Sequence, residues 1–249
     1  MVDAQTPCDP HLDLFPFSYP LPHLTASLRR GRRTKIVAIG SSSTAGEPIN
    51  SEVSVVPYPA RLELALRLKY YGYMIDVLNR GFGGQEAPEE LSRFESDVIA
   101  EAPALVIWQV GSNAVFHDQD HNPDEIAAAL NAGLLWLSNL PTDVVLMDLQ
   151  YTTALTLPAK IGLATQIEQI ILEAGDQAKV NVFRRWDLMK KWVDDGVATI
   201  ADLTDRADTF AHLHMSEWAT ACVSRALIGT ILKAPPPPPA VTAPSARTS

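Results

Sequence analysis

The sequence predicts an α/β fold: a single three-layer domain with about five parallel strands and helices on both faces, of the flavodoxin-like type. Three observations predict it. Five short apolar runs alternate with stretches whose apolar residues recur every three or four positions. Each run before the middle of the chain stops in a turn of glycine or small polar residues, as strands do where they deliver their ends to a crevice. No internal repeat or break in composition within residues 35–232 marks a second domain. Alternation of this kind needs right-handed crossovers between parallel strands, which place the strand C-termini on one edge.

Residues 1–34 are dotted with proline and carry Leu, Phe and Tyr without period, which predicts an extended arm lying on the domain surface. The run 35–39 is the first strand, and it ends in Gly40-Ser41-Ser42-Ser43-Thr44. Residues 58–71 have helical spacing, with Gly72 placed as a C-cap. The second strand, 73–78, runs into Asn79-Arg80-Gly81-Phe82-Gly83-Gly84. A helix over 88–101 leads to the strongly apolar third strand, 104–110, which stops at Gly111-Ser112-Asn113. Then come a helix over 124–140 after Asn122-Pro123, a fourth strand over 143–149, a helix over 157–174 closed by Gly175, and a short fifth strand over 180–183. A short amphipathic segment over 186–195 and a last helix over 216–232 complete the domain. The proline run that follows, within 233–249, has the composition of a disordered or polyproline-like tail.

A chain of 249 residues is long enough to bury a full core. The net charge of −9 argues against a nucleic-acid face, which needs clustered Lys and Arg. The one basic cluster, Arg29, Arg30, Arg32, Arg33 and Lys35, reads as a solvated lead-in to the first strand. No run of 18 apolar residues predicts a transmembrane helix, and the start of the chain as given lacks the basic and apolar parts of a secretory leader. Cys8 and Cys222 either pair across the chain, which would suit a periplasmic or secreted protein, or remain two thiols, which would suit the cytoplasm. Trp108, Trp136, Trp186, Trp192 and Trp218 fall mostly on apolar faces and read as core residues. Nothing in the sequence fixes an oligomeric state.

The chemistry gathers at the strand ends. A serine becomes a nucleophile when a base lies within hydrogen-bond reach, and the oxyanion that forms needs N–H donors already in place. Ser41, Ser42 and Ser43 follow strand one, Gly83 and Gly84 strand two, Asn113 strand three, and His212 and His214 precede the last helix. In this order the blocks resemble those of the SGNH (GDSL-type) hydrolases, over residues 35 to about 230. The resemblance makes Ser42 the nucleophile, with its own N–H, the Gly84 N–H and the Asn113 amide as the oxyanion hole, and His214 as the base. It implies a serine esterase that needs no cofactor and acts on a small-molecule or carbohydrate ester, either a short acyl ester or an acetylated sugar. His212, two residues from His214, points the other way in an extended loop and reads as a loop residue.

Three positions depart from the family pattern. Ser41 stands where the first block has an acid, Ala114 where an acid is frequent after the asparagine, and Ala211 where an aspartate would orient the histidine. Losing such an aspartate can cost about 10⁴ in turnover. Asp208 is a candidate to replace it from the loop; a backbone carbonyl is another. A disabled scaffold that only binds ligand is the competing reading, and acyl transfer through the same site is a third. Gln150 and Tyr151, after strand four, are candidates to line the substrate pocket, as is His117. The run His117-Asp118-Gln119-Asp120-His121 has metal-ligating residue types but no third anchor, so it reads as a polar loop and no metal site is assigned.

Overall fold

The computed structural model describes residues 7–30, 33–46 and 55–236. Arg32 and the residues beyond 236 in the proline-rich tail lie outside the described residues. Five parallel strands, β1 (Thr34–Gly40), β2 (Ile75–Gly81), β3 (Leu105–Gln109), β4 (Asp143–Met147) and β5 (Asn181–Phe183), form one sheet in the order β2-β1-β3-β4-β5. That order reverses direction between β1 and β3, which is where open α/β sheets form their ligand crevice.

Side chains alternate across the sheet with period two, so each strand feeds two cores. Ile36, Ala38, Leu105, Ile107, Val145 and Met147 face one way, into a cluster built with Leu62, Leu66, Leu188, Trp192, Trp218 and Leu227. Val37, Ile39, Val106, Trp108, Val144 and Leu146 face the other, against Phe94, Leu130, Leu134, Ile167 and Ile171. The first cluster lies under helices α1 (Pro22–Arg29), α3 (Tyr58–Lys69), α9 (Arg185–Asp194) and α11 (Glu217–Lys233). The second lies under α4 (Ala87–Ser92), α5 (Phe94–Asp97), α7 (Pro123–Ser138) and α8 (Ile161–Ala178). Short helices α2 (Ser42–Ala45), α6 (Ser112–Phe116) and α10 (Ile200–Leu203) sit in the loops. The strands are apolar on both faces because both faces are covered, as a parallel sheet requires.

Four expectations need correction. The arm is not wholly extended: residues 22–29 are helical, and Leu21, Leu24 and Leu28 are buried in the first core. Pro22 starts the helix where its missing N–H is harmless, and the Asp143 carboxylate accepts from His23 N–H at 3.3 Å and Leu24 N–H at 2.8 Å. Further upstream, Cys8 forms a disulfide with Cys222 of α11, and Tyr19 exchanges two hydrogen bonds with the Asn181 side chain on β5. The helix expected over 88–101 is broken at Arg93 into α4, α5 and a 3₁₀ turn at Ile99–Glu101. Arg93 turns its guanidinium inward to Gln85 Oε1 and the Gly40 carbonyl. Gly175 lies inside α8 rather than at its end, because a Cβ there would meet Val182 at 2.5 Å; Lys179, with φ +57°, takes the left-handed capping position instead. Trp136 is half exposed on α7, whereas the other four tryptophans are buried.

Candidate active site

Strand β1 ends at Gly40, and the chain turns at once into α2, whose first residue is Ser42. A first-turn position leaves the Ser42 N–H outside the helical ladder. The turn is clamped from below by Gln109 at the end of β3: its Oε1 accepts from Ser41 N–H and Oγ, Ser43 Oγ and Thr44 Oγ1, all within 3.1 Å. The helix also packs hard on β2, where a Cβ on Gly81 would stand 2.1 Å from the Ala45 nitrogen. Ser42 is therefore held on a short, closely backed helix rather than on a free loop.

His214 approaches from the opposite end of the chain. Its Nε2 lies 3.1 Å from Ser42 Oγ, and its Nδ1 lies 2.8 Å from Asp208 Oδ2. The same carboxylate accepts from the backbone N–H groups of Leu213 and His214 through Oδ2 and of Ala211 through Oδ1, at 2.8 to 3.0 Å. Burial opposes ionisation of Asp208, but these hydrogen bonds outweigh it and hold the carboxyl below its ordinary range. An ionised carboxylate only accepts, so the His214 proton belongs on Nδ1 and the Nε2 lone pair faces the serine hydroxyl. The Asp208 side chain is 5% exposed and that of His214 is 27% exposed, so the acid is shielded while the imidazole edge meets the crevice.

The loop carrying both residues is closed at its base by the Thr204–Met215 bridge and by Asp205 N–H donating to His214 O. Asp208 precedes His214 by six residues, not three. The extra length is taken up by a turn in which His212 N–H donates to Asp208 O and His212 adopts φ +49°, with Phe210 thrust fully into solvent. Ala211 offers Asp208 its backbone N–H only.

Asn113 sits at the start of α6, buried, with its amide donating to the Gln85 carbonyl at 2.8 Å. Asn113 is thereby tied to the turn that holds Gly84, whose φ is +79°. Glu86 braces the same region, accepting from Gly111 N–H at 2.7 Å and Ala114 N–H at 2.9 Å. Burial pushes the carboxyls of Glu86 and its neighbour Glu90 upward, Glu90 furthest because the Glu86 charge adds to its own desolvation. A small cleft of about 30 Å³ opens beside Ser42 and His214, lined also by Val55, Pro57, Met215 and Thr220.

The three residues expected to line a pocket make other contacts. Gln150 is buried and props the histidine loop from behind, donating to Leu213 O at 2.8 Å. Tyr151 turns away to stack edge-on against Trp186 at 4.7 Å. His117 packs edge-on against Phe116 at 4.7 Å, with its ring Nδ1 4.0 Å from Asp120, and Asp118 pairs with Lys160. Among the described residues no three of His, Cys, Asp or Glu cluster to hold a metal ion, and no helix is long and apolar enough to cross a membrane.

Sequence reasoning passed over Gln109, Glu86 and Arg185. Gln109 was visible as the one polar residue in an apolar strand. Arg185 is buried at the start of α9 and reaches Ser43, Ser112 and the Asp148 carbonyl, but beside Arg184 in the sequence it carries no distinguishing mark.

Comparison with known proteins agrees with this architecture. The chain superposes on Axe2, an acetylxylan esterase from Geobacillus stearothermophilus, with a TM-score of 0.66 and 20% identity, covering 80% of this chain and 94% of that one. It superposes equally well on LAE5, an alpha/beta hydrolase from the metagenome of Lake Arreo, Spain, with a TM-score of 0.67, 14% identity and the same coverage. At such identities the likeness shows the fold. No curated relative matches the chain. A family model does match, over residues 7–235, and the family's description sets it apart from the GDSL pattern, as the serine at position 41 also does. On that match the chain belongs to the Non-GDSL lipase-like family.

Proposed function

We propose that this protein is a serine ester hydrolase of the SGNH type, acting on a short acyl ester or an acetylated carbohydrate. The observation that carries the reading is the continuous hydrogen-bonded chain from Ser42 Oγ through both ring nitrogens of His214 to Asp208, at the sheet edge where α/β folds bind ligands. Ser42 Oγ attacks the ester carbonyl as His214 Nε2 takes its proton. The oxyanion that forms is held by the N–H groups of Ser42 and Gly84 and by the Asn113 amide. His214 then gives the proton to the departing alkoxide, leaving an acyl-serine. Water attacks the acyl-serine by the same route, His214 taking its proton, to release the acid and restore Ser42. Asp208 keeps the imidazole in the required tautomer and offsets its positive charge. These steps use no metal or organic cofactor.

Two further observations support the reading. The small cleft, edged by Val55, Pro57 and Met215, suits a short acyl group. Structures of Axe2 include ones described as catalytic mutants at a serine, an aspartate and a histidine, the same three residue types. Asp208 stands against the His214 ring where Ala211 offers no side-chain acceptor, which supports a working hydrolase over a disabled ligand-binding scaffold. The Cys8–Cys222 disulfide favours an oxidising compartment, periplasmic or extracellular.

The test is labelling with a fluorophosphonate together with hydrolysis of p-nitrophenyl acetate. The wild-type chain should be labelled at Ser42 and turn over the ester, and Ser42→Ala should abolish both; a folded wild-type protein that does neither refutes the proposal. Product analysis with added alcohol or sugar acceptor separates hydrolysis from acyl transfer.

A further inference from the structure

The nucleophile and the oxyanion amide come from different strand ends, so something must fix their separation. Gln109 clamps the Ser41–Thr44 turn against β3, and Glu86 braces Gly111 and Ala114. Among the described residues, one side chain reaches both turns. Arg185, 0% exposed, donates from Nη1 to Ser43 Oγ at 3.3 Å and from Nη2 to Ser112 Oγ at 3.5 Å, and its Nη2 is anchored on the Asp148 carbonyl at 2.6 Å. Ser43 and Ser112 are the immediate neighbours of Ser42 and Asn113. We propose that Arg185 is a positioning residue whose planar fork sets the nucleophile turn in register with the oxyanion turn. This inference rests on the esterase reading above.

The cost of placing a cation there argues for a role. Among the described residues no carboxylate oxygen lies within ion-pairing distance of Arg185. Its nearest acidic neighbour in effect, Asp148, spends Oδ1 on Trp186 N–H. A buried cation without a close counter-charge is expensive, and an apolar side chain of similar volume would fill the core at less cost. An apolar side chain would make no hydrogen bond to either serine. Burial draws the guanidinium down to about 10, which still leaves it charged at neutral pH. The positive charge lies one residue from the group that becomes an oxyanion donor, so its field also favours the negative intermediate. Lysine would keep the charge but as a single point, unable to hold two turns and a carbonyl at once.

The experiment is a mutant cycle read by kinetics on p-nitrophenyl acetate, with thermal unfolding as a control. Arg185→Lys should lower kcat by about 10- to 100-fold while KM stays within about threefold, since misplacing reacting groups by about 1 Å costs on the order of 10²-fold. In a Ser43→Ala/Ser112→Ala background the same change should cost less than about threefold, because the partners it works through are gone. Arg185→Met should be worse than Arg185→Lys in kcat; if it fails to fold, the lysine variant and its cycle decide the matter alone. Equal losses in both backgrounds, a loss confined to KM, or full activity in Arg185→Lys would overturn the tie. A wild-type chain without turnover or Ser42 labelling would instead fail the esterase reading, and the wild-type control separates the two failures.

Discussion

Replacing Asp208 by asparagine tests the site most sharply, because the hydrogen-bond geometry fixes how the amide must sit. Oδ2 receives three donors, from Leu213 N–H, His214 N–H and His214 Nδ1, whereas Oδ1 receives one, from Ala211 N–H. The amide oxygen belongs at the threefold position, which leaves the NH₂ opposed to a single backbone N–H. The histidine therefore keeps its tautomer, and the variant loses the carboxylate charge that steadies the imidazolium. A unit charge at about 4 Å with an effective dielectric near 20 is worth about 4 kcal/mol, and partial solvent access to His214 reduces that to about 3, or on the order of 10²-fold in kcat. Asp208→Ala loses orientation as well and should fall by about 10³- to 10⁴-fold. Steady-state hydrolysis of p-nitrophenyl acetate measures both. A kcat for Asp208→Asn within tenfold of wild type would show that the aspartate does not serve His214, and an asparagine variant worse than the alanine one would show that the amide sits the other way round. The carboxyl is held below its ordinary range in the folded protein, so its stabilisation is full above the unfolded value near 4 and is lost as the pH falls through the lower folded value. Thermal melts below about pH 4 should accordingly flatten in Asp208→Asn. Ala211→Asp, by contrast, should bring no gain in kcat, since the acceptor it would supply is already present.

Other substitutions probe the scaffold. Glu90 has one oxygen on Trp108 Nε1, another without a partner, and a carboxyl pushed well up by burial and by the Glu86 charge, so folding disfavours its ionised form. Stability should decline as the pH rises above about 4.3, and Glu90→Gln should raise the melting temperature at pH 7 to 8 and remove that slope; a lower melting temperature at pH 8 would contradict the assignment. Gly81→Ala would force β2 and α2 apart at a backbone contact, costing about 1 to 3 kcal/mol by chemical denaturation and lowering kcat through Ser42, whereas an unchanged kcat would mean that the close approach does not hold the nucleophile. Reduction, or Cys8→Ser with Cys222→Ser, should lower stability by about 5 kcal/mol on a chain-entropy estimate for a loop of this length, measured as a shift in denaturation midpoint; no shift would show that the arm is held by packing alone.

The parallel sheet was legible because strands covered on both faces read as unbroken apolar runs, and the turns that hold Ser42, Gly84 and Asn113 were legible because each run stops abruptly; the choice of these three residues within the turns came from the resemblance to the SGNH pattern. Asp208 was only half visible as a candidate to orient His214. The family pattern pointed to position 211, and only a turn with a left-handed residue at His212 brings Asp208 back to the imidazole. Helix α1 was missed because proline content outweighed the three leucines at positions 21, 24 and 28. Gln150 and Tyr151 were placed by the correct rule that residues after a strand reach the crevice edge, but their side chains turn to Leu213 O and Trp186. Arg185 and Gln109 make hydrogen bonds to residues 37 to 142 positions away, and no local pattern records such partners.

The N-terminal segment reaches the last strand of the sheet as well as joining the core. Strand β5 has three residues and, among the described residues, no strand partner on its outer side; Tyr19 lies beside its first residue, its backbone N–H and C=O both bonded to the Asn181 side-chain amide. Exposed strand edges recruit edges of other molecules, and proteins survive by covering them. The segment is pinned on both sides of that contact, at Cys8 by the disulfide and at His23 and Leu24 by Asp143. A chain trimmed ahead of Pro22 would keep every residue of the proposed catalytic chain, yet it would leave the buried Asn181 amide without its two partners beside an uncovered strand end, and self-association would rise with concentration before activity was lost.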